Sequence, residues 1–191
     1  MSSPDLSFVG FLAIGGRLLW ALGLFSLIGA CRTADRRPAA STQPDNSLLL
    51  KRMTLVVADI DRSLTVYRDI LGFSLHAPVS ESSSDSYSYP VFRIPAEAKI
   101  RFATLDSRTQ ERALGLTEVK GISLPTPAAP LMSAAVIRVP NLGETMQKIR
   151  ALGLQTTEPK TVRSTDGKFS FVEQAFVDYD GHLIVLYQVL N

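Results

Sequence analysis

The sequence predicts an α+β fold built from two βαβββ modules, and three observations lead to this prediction. Residues 56–68 align with residues 138–150 at a constant offset of 82, so one segment occurs twice. In both copies an apolar run meets a helix-capping residue and then apolar positions at helical spacing. Segments rich in β-branched and aromatic residues follow each helix, separated by turn signals such as Asp166-Gly167 and Asp180-Gly181.

Each predicted helix has a start signal, an apolar stripe and a stop signal. Asp59 and Asn141 are the expected N-caps, and Gly72 and Gly153 are suited to the left-handed position that ends a helix. The stripes comprise Ile60, Leu64, Tyr67 and Leu71 in the first copy, and Leu142, Met146, Ile149 and Leu152 or Leu154 in the second. One face of each helix is therefore expected to pack on a sheet.

Three strands are expected after each helix. They span residues 73–77, 87–94 and 99–105 in the first copy, and residues 154–163, 169–177 and 182–189 in the second. Between the copies, residues 107–130 are expected to hold a helical turn near Thr109–Leu114 and then a proline-rich connector. A connection of this length is typical of a lid or a bridge.

The N-terminal part divides into a signal peptide, residues 1–30, and a linker, residues 31–48, before the folded domain at residues 49–191. Leu18–Ala30 is uncharged and follows Arg17, which is the pattern of a signal-peptide h-region. A spanning helix needs about 20 apolar residues and would bury Arg17, so a permanent transmembrane anchor is the weaker alternative. The linker is polar and proline-containing, and its sixteen residues 32–47 would reach roughly 20–24 Å as a flexible coil.

The end of the h-region, Leu27–Ala30 followed by Cys31, resembles a bacterial lipobox. The resemblance implies that Cys31 receives a diacylglyceryl group and that the chain is cleaved before it. The protein would then be a lipoprotein of the cell envelope, held to a membrane by its acyl chains, with the domain facing the periplasm or the exterior. Ordinary secretory cleavage, with Cys31 incidental, is the alternative.

Composition excludes several classes of protein. The 191 residues carry 20 Lys and Arg against 18 Asp and Glu, a net charge of +2 that is too balanced for nucleic-acid binding. A single cysteine allows neither an intrachain disulfide nor a cysteine-based zinc site. No serine-histidine-aspartate arrangement, phosphate-binding loop or paired-carboxylate motif stands out, so the catalytic residues are unknown.

The folded part resembles a vicinal oxygen chelate domain of the glyoxalase and bleomycin-resistance superfamily. The segments that carry the resemblance are Asp59–Leu64, Tyr67–Phe73, Ile149–Leu154 and Asp178–Ile184. It implies that the two modules form a cup of curled sheets. The superfamily includes lactoylglutathione lyases, dioxygenases and proteins that bind antibiotics without turning them over, so the fold alone does not assign an activity.

The resemblance also implies a divalent metal in the cup, held by a His or Gln at the start of each module's first strand and a Glu on its last strand. These positions fall on Arg52 and Ala134, and on or near Ala103 and Val185. None is a ligand, and arginine would add positive charge where the metal should lie. His76, His182 and Glu173 are the candidates for a displaced site. An ordinary surface position after the Asp180-Gly181 turn is the alternative for His182, and a satisfied or exposed histidine is the alternative for His76. Glu173 could face the cup, but a single carboxylate does not hold a metal. No cofactor is expected.

Strand alternation places Arg52, Thr54 and Val56 on one face, and Arg101 on the inner face if Ala103 points inward. Val185 and Tyr187 would share the inner face on the last strand. The hypothesis is an anion-binding pocket in which Arg52 and Arg101 bind a carboxylate against aromatic walls. The wall candidates are Tyr187 and Tyr89, with Tyr87 and Phe92 beside them. The alternative is that both arginines lie at strand ends in water, since a one-residue register error inverts the faces.

Three functions are compatible with this sequence. The first is a membrane-tethered domain that binds a small molecule, with anions among the candidate ligands, in a metal-free cup without catalysis. The second is a glyoxalase-like or dioxygenase-like enzyme with a displaced divalent metal site. The third is an interaction module whose sheets form a partner or homodimer surface.

Overall fold

The computed structural model describes residues 48–165 and 167–190, and it has the α+β architecture that the sequence predicts: two open, curled sheets with few helices. The predicted signal peptide, lipidation residue Cys31 and linker up to residue 47 lie outside the described residues. So does Asp166 of the predicted Asp166-Gly167 turn. Within the described ranges, no helix is both long and apolar enough to cross a membrane.

The first module spans residues 53–120. Its elements are β1 (Met53–Val57), α1 (Ile60–Leu64) continued by a π-helical segment (Thr65–Ile70), β2 (Ser74–Leu75), β3 (Ser80–Glu81), α2 (Ser88–Phe92), β4 (Lys99–Asp106) and β5 (Leu114–Lys120). The strand order is β1-β5-β4-β2, with β3 also paired to β4. Strand β1 runs parallel to β5, and the other pairs are antiparallel.

The second module repeats this plan over residues 134–190. Its elements are β6 (Ala134–Arg138), α3 (Leu142–Ala151), β7 (Lys160–Arg163), β8 (Ser170–Val177) and β9 (Leu183–Leu190). The strand order is β6-β9-β8-β7, and β6 is parallel to β9 just as β1 is parallel to β5. The two edge pairs therefore correspond, and they fix which positions are equivalent in the two modules.

The predicted helix signals are confirmed. Asp59 Oδ1 accepts a hydrogen bond from the Arg62 amide at 3.0 Å, and Asn141 Oδ1 accepts one from the Glu144 amide at 3.1 Å. Gly72 and Gly153 have φ angles of 80° and 76°, a left-handed conformation that side chains disfavour. The apolar stripes are buried against the sheets in one hydrophobic core, which includes Tyr67 and Met146.

A turn of the second module joins the two modules. The Tyr67 hydroxyl donates to Asp178 at 2.6 Å, and the Ala58 amide donates to Asp180 at 3.0 Å. His182 Nε2 lies 2.8 Å from the Val56 carbonyl oxygen. Burial and the neighbouring Asp178 carboxylate raise the pKa of Tyr67 far above its usual range, so the phenol stays a donor. His182, expected at an ordinary surface position, is instead half-buried and bonded across the modules.

Two element predictions in the first module are wrong. Residues 114–120, assigned to the connector and a helical turn, form strand β5, whose first six residues are all buried. Residues 87–94, predicted as a strand, contain the short helix α2. Pro90 has no amide hydrogen for a ladder and is tolerated in the first turn of a helix, so it overrides the strand preference of the neighbouring aromatic residues.

The other predicted strands are present, although two are shorter than expected. The strand expected at 73–77 is reduced to Ser74–Leu75, and the one expected at 154–163 is reduced to Lys160–Arg163 with an isolated bridge at Thr156. The connector between the modules touches the joining turn, because a Cβ at Gly181 would lie 2.5 Å from the Pro127 ring. It thus serves as a bridge at that point.

Candidate functional site

Each sheet has one side on the core and one side turned away from it, which we call the cup face. In the first module Leu55 and Val57 are buried in the core, so the alternating residues Arg52, Thr54 and Val56 belong to the cup face. The corresponding residues of the second module are Ala134, Val136 and Arg138 on β6, with Val185, Tyr187 and Val189 on β9. The expectation that Val185 and Tyr187 share this face is confirmed.

The register corrects one of the positions that the family resemblance implied. Val185 pairs with Val136 in the second module, and Thr54, the equivalent of Val136 at the offset of 82, pairs with Gly115. Gly115 on β5 is therefore the equivalent of Val185 in the first module. Ala103 does not hold this position, because it lies on β4 with its side chain in the core.

Gly115 leaves room for the side chains beside it. A Cβ built at this position would lie 2.9 Å from Thr54 Oγ1 and 3.5 Å from Arg52 Cδ. The stem of Arg52 therefore passes over the glycine on the cup face. Among the described residues, its guanidinium has neither a hydrogen bond nor an ion pair, which leaves a half-buried positive charge available to a ligand.

The residues at the four positions where the family resemblance implies metal ligands do not fit a metal ion. Arg52, Gly115, Ala134 and Val185 provide no coordinating atom suited to a divalent cation, and the arginine repels one. Elsewhere in residues 48–165 and 167–190, no group of three His, Cys, Asp or Glu side chains is close enough to hold a metal. Lewis-acid chemistry therefore has no support from the side chains of this cup.

The candidates for a displaced site are separated from one another. His76 Nδ1 lies 3.1 Å from both carboxylate oxygens of Asp106, while His182 contacts the Val56 carbonyl. Glu173 lies opposite Tyr187 in the register and so shares the cup face, as expected. These three side chains belong to different parts of the fold.

The expectation that Arg101 shares the inner face with Arg52 is wrong. Arg101 pairs in register with Glu118, on the core side of the sheet. Its Nε donates to Glu118 at 2.8 Å, and one terminal nitrogen donates to Glu118 at 2.7 Å and to Asp61 at 2.9 Å. The pKa of Arg101 is raised by these hydrogen bonds to Glu118 and Asp61. The two arginines therefore lie on opposite faces, and of the two it is Arg52 that has no partner in the part of the chain that the structure describes.

Glu118 explains why Arg101 is held on that side. Its side chain is 2% exposed, and its Oε2 also accepts the Ile60 amide at 2.8 Å at the start of α1. Burial acts to raise the pKa of Glu118, but the hydrogen bonds from Arg101 and Ile60 outweigh burial and leave the pKa below its usual value. Glu118 is an ionised structural acceptor rather than part of the cup.

The two predicted tyrosines have different settings. Tyr187 lies on the cup face of β9, in an edge-to-face arrangement with Phe171 at a centroid distance of 6.3 Å. Tyr89 lies on α2 rather than on a strand, and its hydroxyl donates to the Ala98 carbonyl at 2.9 Å. Tyr187 is thus part of an aromatic wall, whereas Tyr89 fastens α2 to the start of β4. Ligand binding by either tyrosine stays a prediction.

Sequence reasoning missed Gly115 and a cavity on the other side of the second sheet. The cavity measures about 610 Å³ and lies between α3 and β8 and β9, with Gly143, Val172, Gln174 and Gln188 in its wall. Both features depend on how β5 pairs in the first sheet and how β9 pairs in the second. These two strands are equivalent at an offset of 70. That second offset is the signal that would have revealed β5 in the sequence.

Comparison with known proteins agrees with this architecture. The sequence model of the Glyoxalase/Bleomycin resistance protein/Dioxygenase superfamily matches residues 49–186. A glyoxalase family protein from Bacillus cereus superposes with a TM-score of 0.60 at 13% identity, covering 78% of this chain and 100% of that one. A glyoxylase/bleomycin resistance protein/dioxygenase domain from Frankia sp. superposes with a TM-score of 0.52 at 15% identity, covering 76% and 95%. No curated protein matches the sequence significantly.

Proposed function

Because this chain belongs to the Glyoxalase/Bleomycin resistance protein/Dioxygenase superfamily, we propose that it is a binding member of that family: a membrane-tethered domain that holds a small anionic molecule on its cup face without catalysis. The observation that carries this proposal is the guanidinium of Arg52, which has no partner within residues 48–165 and 167–190 and lies beside Gly115, at positions where the family resemblance implies metal ligands. The cup can bind an anion directly, without an intervening cation.

The chemistry of Arg52 favours a carboxylate or a similar oxyanion. A guanidinium presents a planar set of donors that matches two oxygens at once, and it stays charged at any ordinary pH. Thr54 lies beside it and adds a hydroxyl group that can donate to the same oxygens. Because Arg52 is half-buried, its charge is less screened than that of a fully exposed side chain.

The rest of the cup face supplies apolar area. Phe102 is 43% exposed and Val136 is 61% exposed on this face, and Tyr187 and Phe171 form an aromatic pair in the second sheet. A ligand with an acidic head and an apolar body would bury such surface. A second copy of the chain would also cover it, so a homodimer is an outcome that the test must separate.

The tether rests on the sequence. Lipidation of Cys31 behind the residue 1–30 signal peptide would anchor the domain in the cell envelope, facing the periplasm or the exterior, and the linker would leave it free to move near the surface. Globomycin blocks removal of lipoprotein signal peptides, so it would make the precursor accumulate if this assignment is correct. Replacement of Cys31 by Ser would release the protein from the membrane fraction.

A ligand screen tests the binding proposal. Small aromatic and aliphatic acids, with benzoate and octanoate as the first probes, are expected to raise the Tm of the full chain, because a ligand that binds only the folded state stabilises it. Arg52→Met, which keeps the stem over Gly115, is expected to abolish the shift, and Arg52→Lys to reduce it. Equal shifts in Arg52→Met and the wild type would overturn the proposal.

Two control measurements separate the alternatives. A stoichiometric transition metal that survives dialysis would overturn the metal-free cup in favour of an enzyme. Light scattering of the wild type and Arg52→Met reports the oligomeric state. Dimers that dissociate when the acid is added would show that the ligand and a second copy of the chain compete for the cup face. Dimers that persist, with no binding of the acid, would identify the cup face as an interface between copies instead.

A further inference from the structure

The two modules place equivalent residues at the start of their helices on the core side. The Ile60 amide donates to Glu118 Oε2 at 2.8 Å, and the Leu142 amide donates to Gln188 Oε1 at the same distance. Ile60 and Leu142 are equivalent at the offset of 82, so Glu118 and Gln188 have the same structural role. Their cross-strand partners are equivalent too: Arg101 pairs with Glu118, and Val172 pairs with Gln188.

The same place is filled in one module and empty in the other. In the first module Arg101 occupies it and joins Glu118 to Asp61, at 2.7 and 2.9 Å. At the equivalent positions the second module has Val172, Gln188 and Gly143, so no side chain bridges the space. The cavity of about 610 Å³ lies here, and these three residues are in its wall. Its volume is within the range of small-molecule sites.

Part of the lining of this cavity presents hydrogen-bond donors. Because Gln188 Oε1 accepts the Leu142 amide, the side-chain NH₂ of Gln188 remains as a donor. The Gly143 amide belongs to the first turn of α3, where amides have no partner within the helix and the helix dipole favours negative charge. Arg150 also lines the cavity. A carboxylate is the chemical group that these donors complement.

Other residues of the lining present acceptors. Gln174 is 7% exposed, and its amide nitrogen donates to the Thr157 carbonyl at 2.6 Å, which fixes the orientation of the side chain. Its amide oxygen has no hydrogen-bond partner among the described residues, and Glu158 lies beside Thr157 in the lining. Because the amide nitrogen is already used, this oxygen is available to accept a hydrogen bond from a donor group of a ligand in the cavity.

We propose that this cavity is a second ligand site, separate from the cup face, and that it binds a small carboxylate that also carries a hydrogen-bond donor, namely an amino acid or a hydroxy acid. The carboxylate binds at the start of α3 and the Gln188 NH₂ group. The amino or hydroxyl group donates to Gln174. The site lies on the core side of the second sheet, so its occupancy does not depend on Arg52.

Gly143→Asp tests the proposal because it restores the carboxylate that Asp61 provides in the first module. There is room for the side chain, since the nearest atom to a Cβ at Gly143 is Asn141 Oδ1 at 3.8 Å. An aspartate in the first turn of a helix also suits the helix dipole, so the fold is expected to be retained. Its negative charge would oppose a carboxylate ligand, whereas Gly143→Asn has a similar shape without the charge.

The measurement is calorimetric titration of the full chain in detergent with L-serine and with L-lactate. We expect at least one of them to bind, Gly143→Asp to weaken its binding about tenfold or more, and Gly143→Asn to weaken it less. Arg52→Met is expected to leave this affinity unchanged, and methyl lactate, which lacks the carboxylate, not to bind. The relative affinities of serine and lactate distinguish the two ligand classes.

Three results would overturn this inference: failure of both probes to bind the wild type, equal binding by Gly143→Asp and the wild type, or loss of binding in Arg52→Met alone. The last result would assign the acid to the cup face instead. Failure of the cup proposal would leave the Gly143 comparison intact, so the two sites can be judged separately.

Discussion

The two modules solve the same structural problem with different chemistry. Both must provide an acceptor for an amide at the start of a helix, and both do so from the strand that pairs with the module's first strand. The first module uses the carboxylate of Glu118 and therefore needs Arg101 to compensate a buried charge. The second uses the neutral amide of Gln188, which needs no counter-ion, and the space of the missing arginine becomes a cavity.

The cup faces differ in the same sense. On that side the first module carries the unpaired charge of Arg52 above Gly115, while the second has only Ala134 and Val185 at the equivalent positions. On both faces the first module thus carries a charged side chain at a position where the second module has a neutral one. Duplicated modules keep the backbone bonds that define the fold, while side-chain changes at equivalent positions give the two modules surfaces of different chemistry.

Removing Arg101 is expected to have the largest effect on stability. Arg101→Ala leaves Glu118 buried without its counter-ion, and we expect the free energy of unfolding to fall by about 2–3 kcal/mol. Breaking a fully buried ion pair costs about 3–5 kcal/mol, and the expected loss is smaller because Arg101 is partly exposed. Urea denaturation of the full chain measures this change. The equivalent truncation, Val172→Ala, is expected to cost about 1 kcal/mol.

A double variant shows whether charge is the cause. Arg101→Val with Glu118→Gln gives the first module the residues of the second, so no buried charge remains without a partner. We expect it to recover most of the stability lost in Arg101→Ala. A double variant as unstable as the single one would mean that the packing of the arginine stem, and not its charge, holds the first module together.

Acid should affect the first module more than the second. Because the pKa of Glu118 is lowered in the folded state, ionised Glu118 contributes stability that is complete above its ordinary pKa of 4.5 and is lost as the pH falls through the folded value. The effect is expected to be smaller than that of Arg101→Ala, since a protonated Glu118 still accepts the Ile60 amide. Denaturation at a series of pH values, compared between the wild type and Glu118→Gln, isolates this contribution.

If the free energy of unfolding depends on pH with the same slope in the wild type and in Glu118→Gln, the prediction for Glu118 is contradicted. The acid sensitivity would then belong to other carboxylates with a lowered pKa. Asp59 is one of these, because the Arg62 amide lowers its pKa; Asp106 is another, because the Arg112 amide and His76 do the same. Both remain in Glu118→Gln, so the comparison separates them from Glu118.

The sequence predicted the features that repeat and that have local causes. The caps at Asp59 and Asn141 and the glycines at 72 and 153 depend only on neighbouring backbone, so one short segment is enough to identify them. The faces of β9 could also be assigned, because regular alternation from Ile184 to Tyr187 fixes which side chains point to the core.

The features that failed depend on pairing between distant segments. Strand β5 lacks the alternation of a half-buried strand, because Leu114–Val119 is buried on both faces, and Gly115 further weakens its strand preference. Without β5, Glu118 had no strand, Ala103 was assigned to the position of Gly115, and Arg101 was placed on the wrong face. One missed strand thus shifted the predicted site, as expected where side-chain direction alternates at every residue.

Removing the neutral acceptor of the second module should have the smallest effect. Gln188→Leu deletes the bond to the Leu142 amide, and because neither partner is charged we expect a loss of about 0.5–1.5 kcal/mol, less than for Arg101→Ala. Hydrogen exchange should show the loss locally, as faster exchange of the first amides of α3 with little change in α1. A loss as large as that of Arg101→Ala would show that the helix-start bond, common to both modules, dominates, and that the charge of the first module adds little.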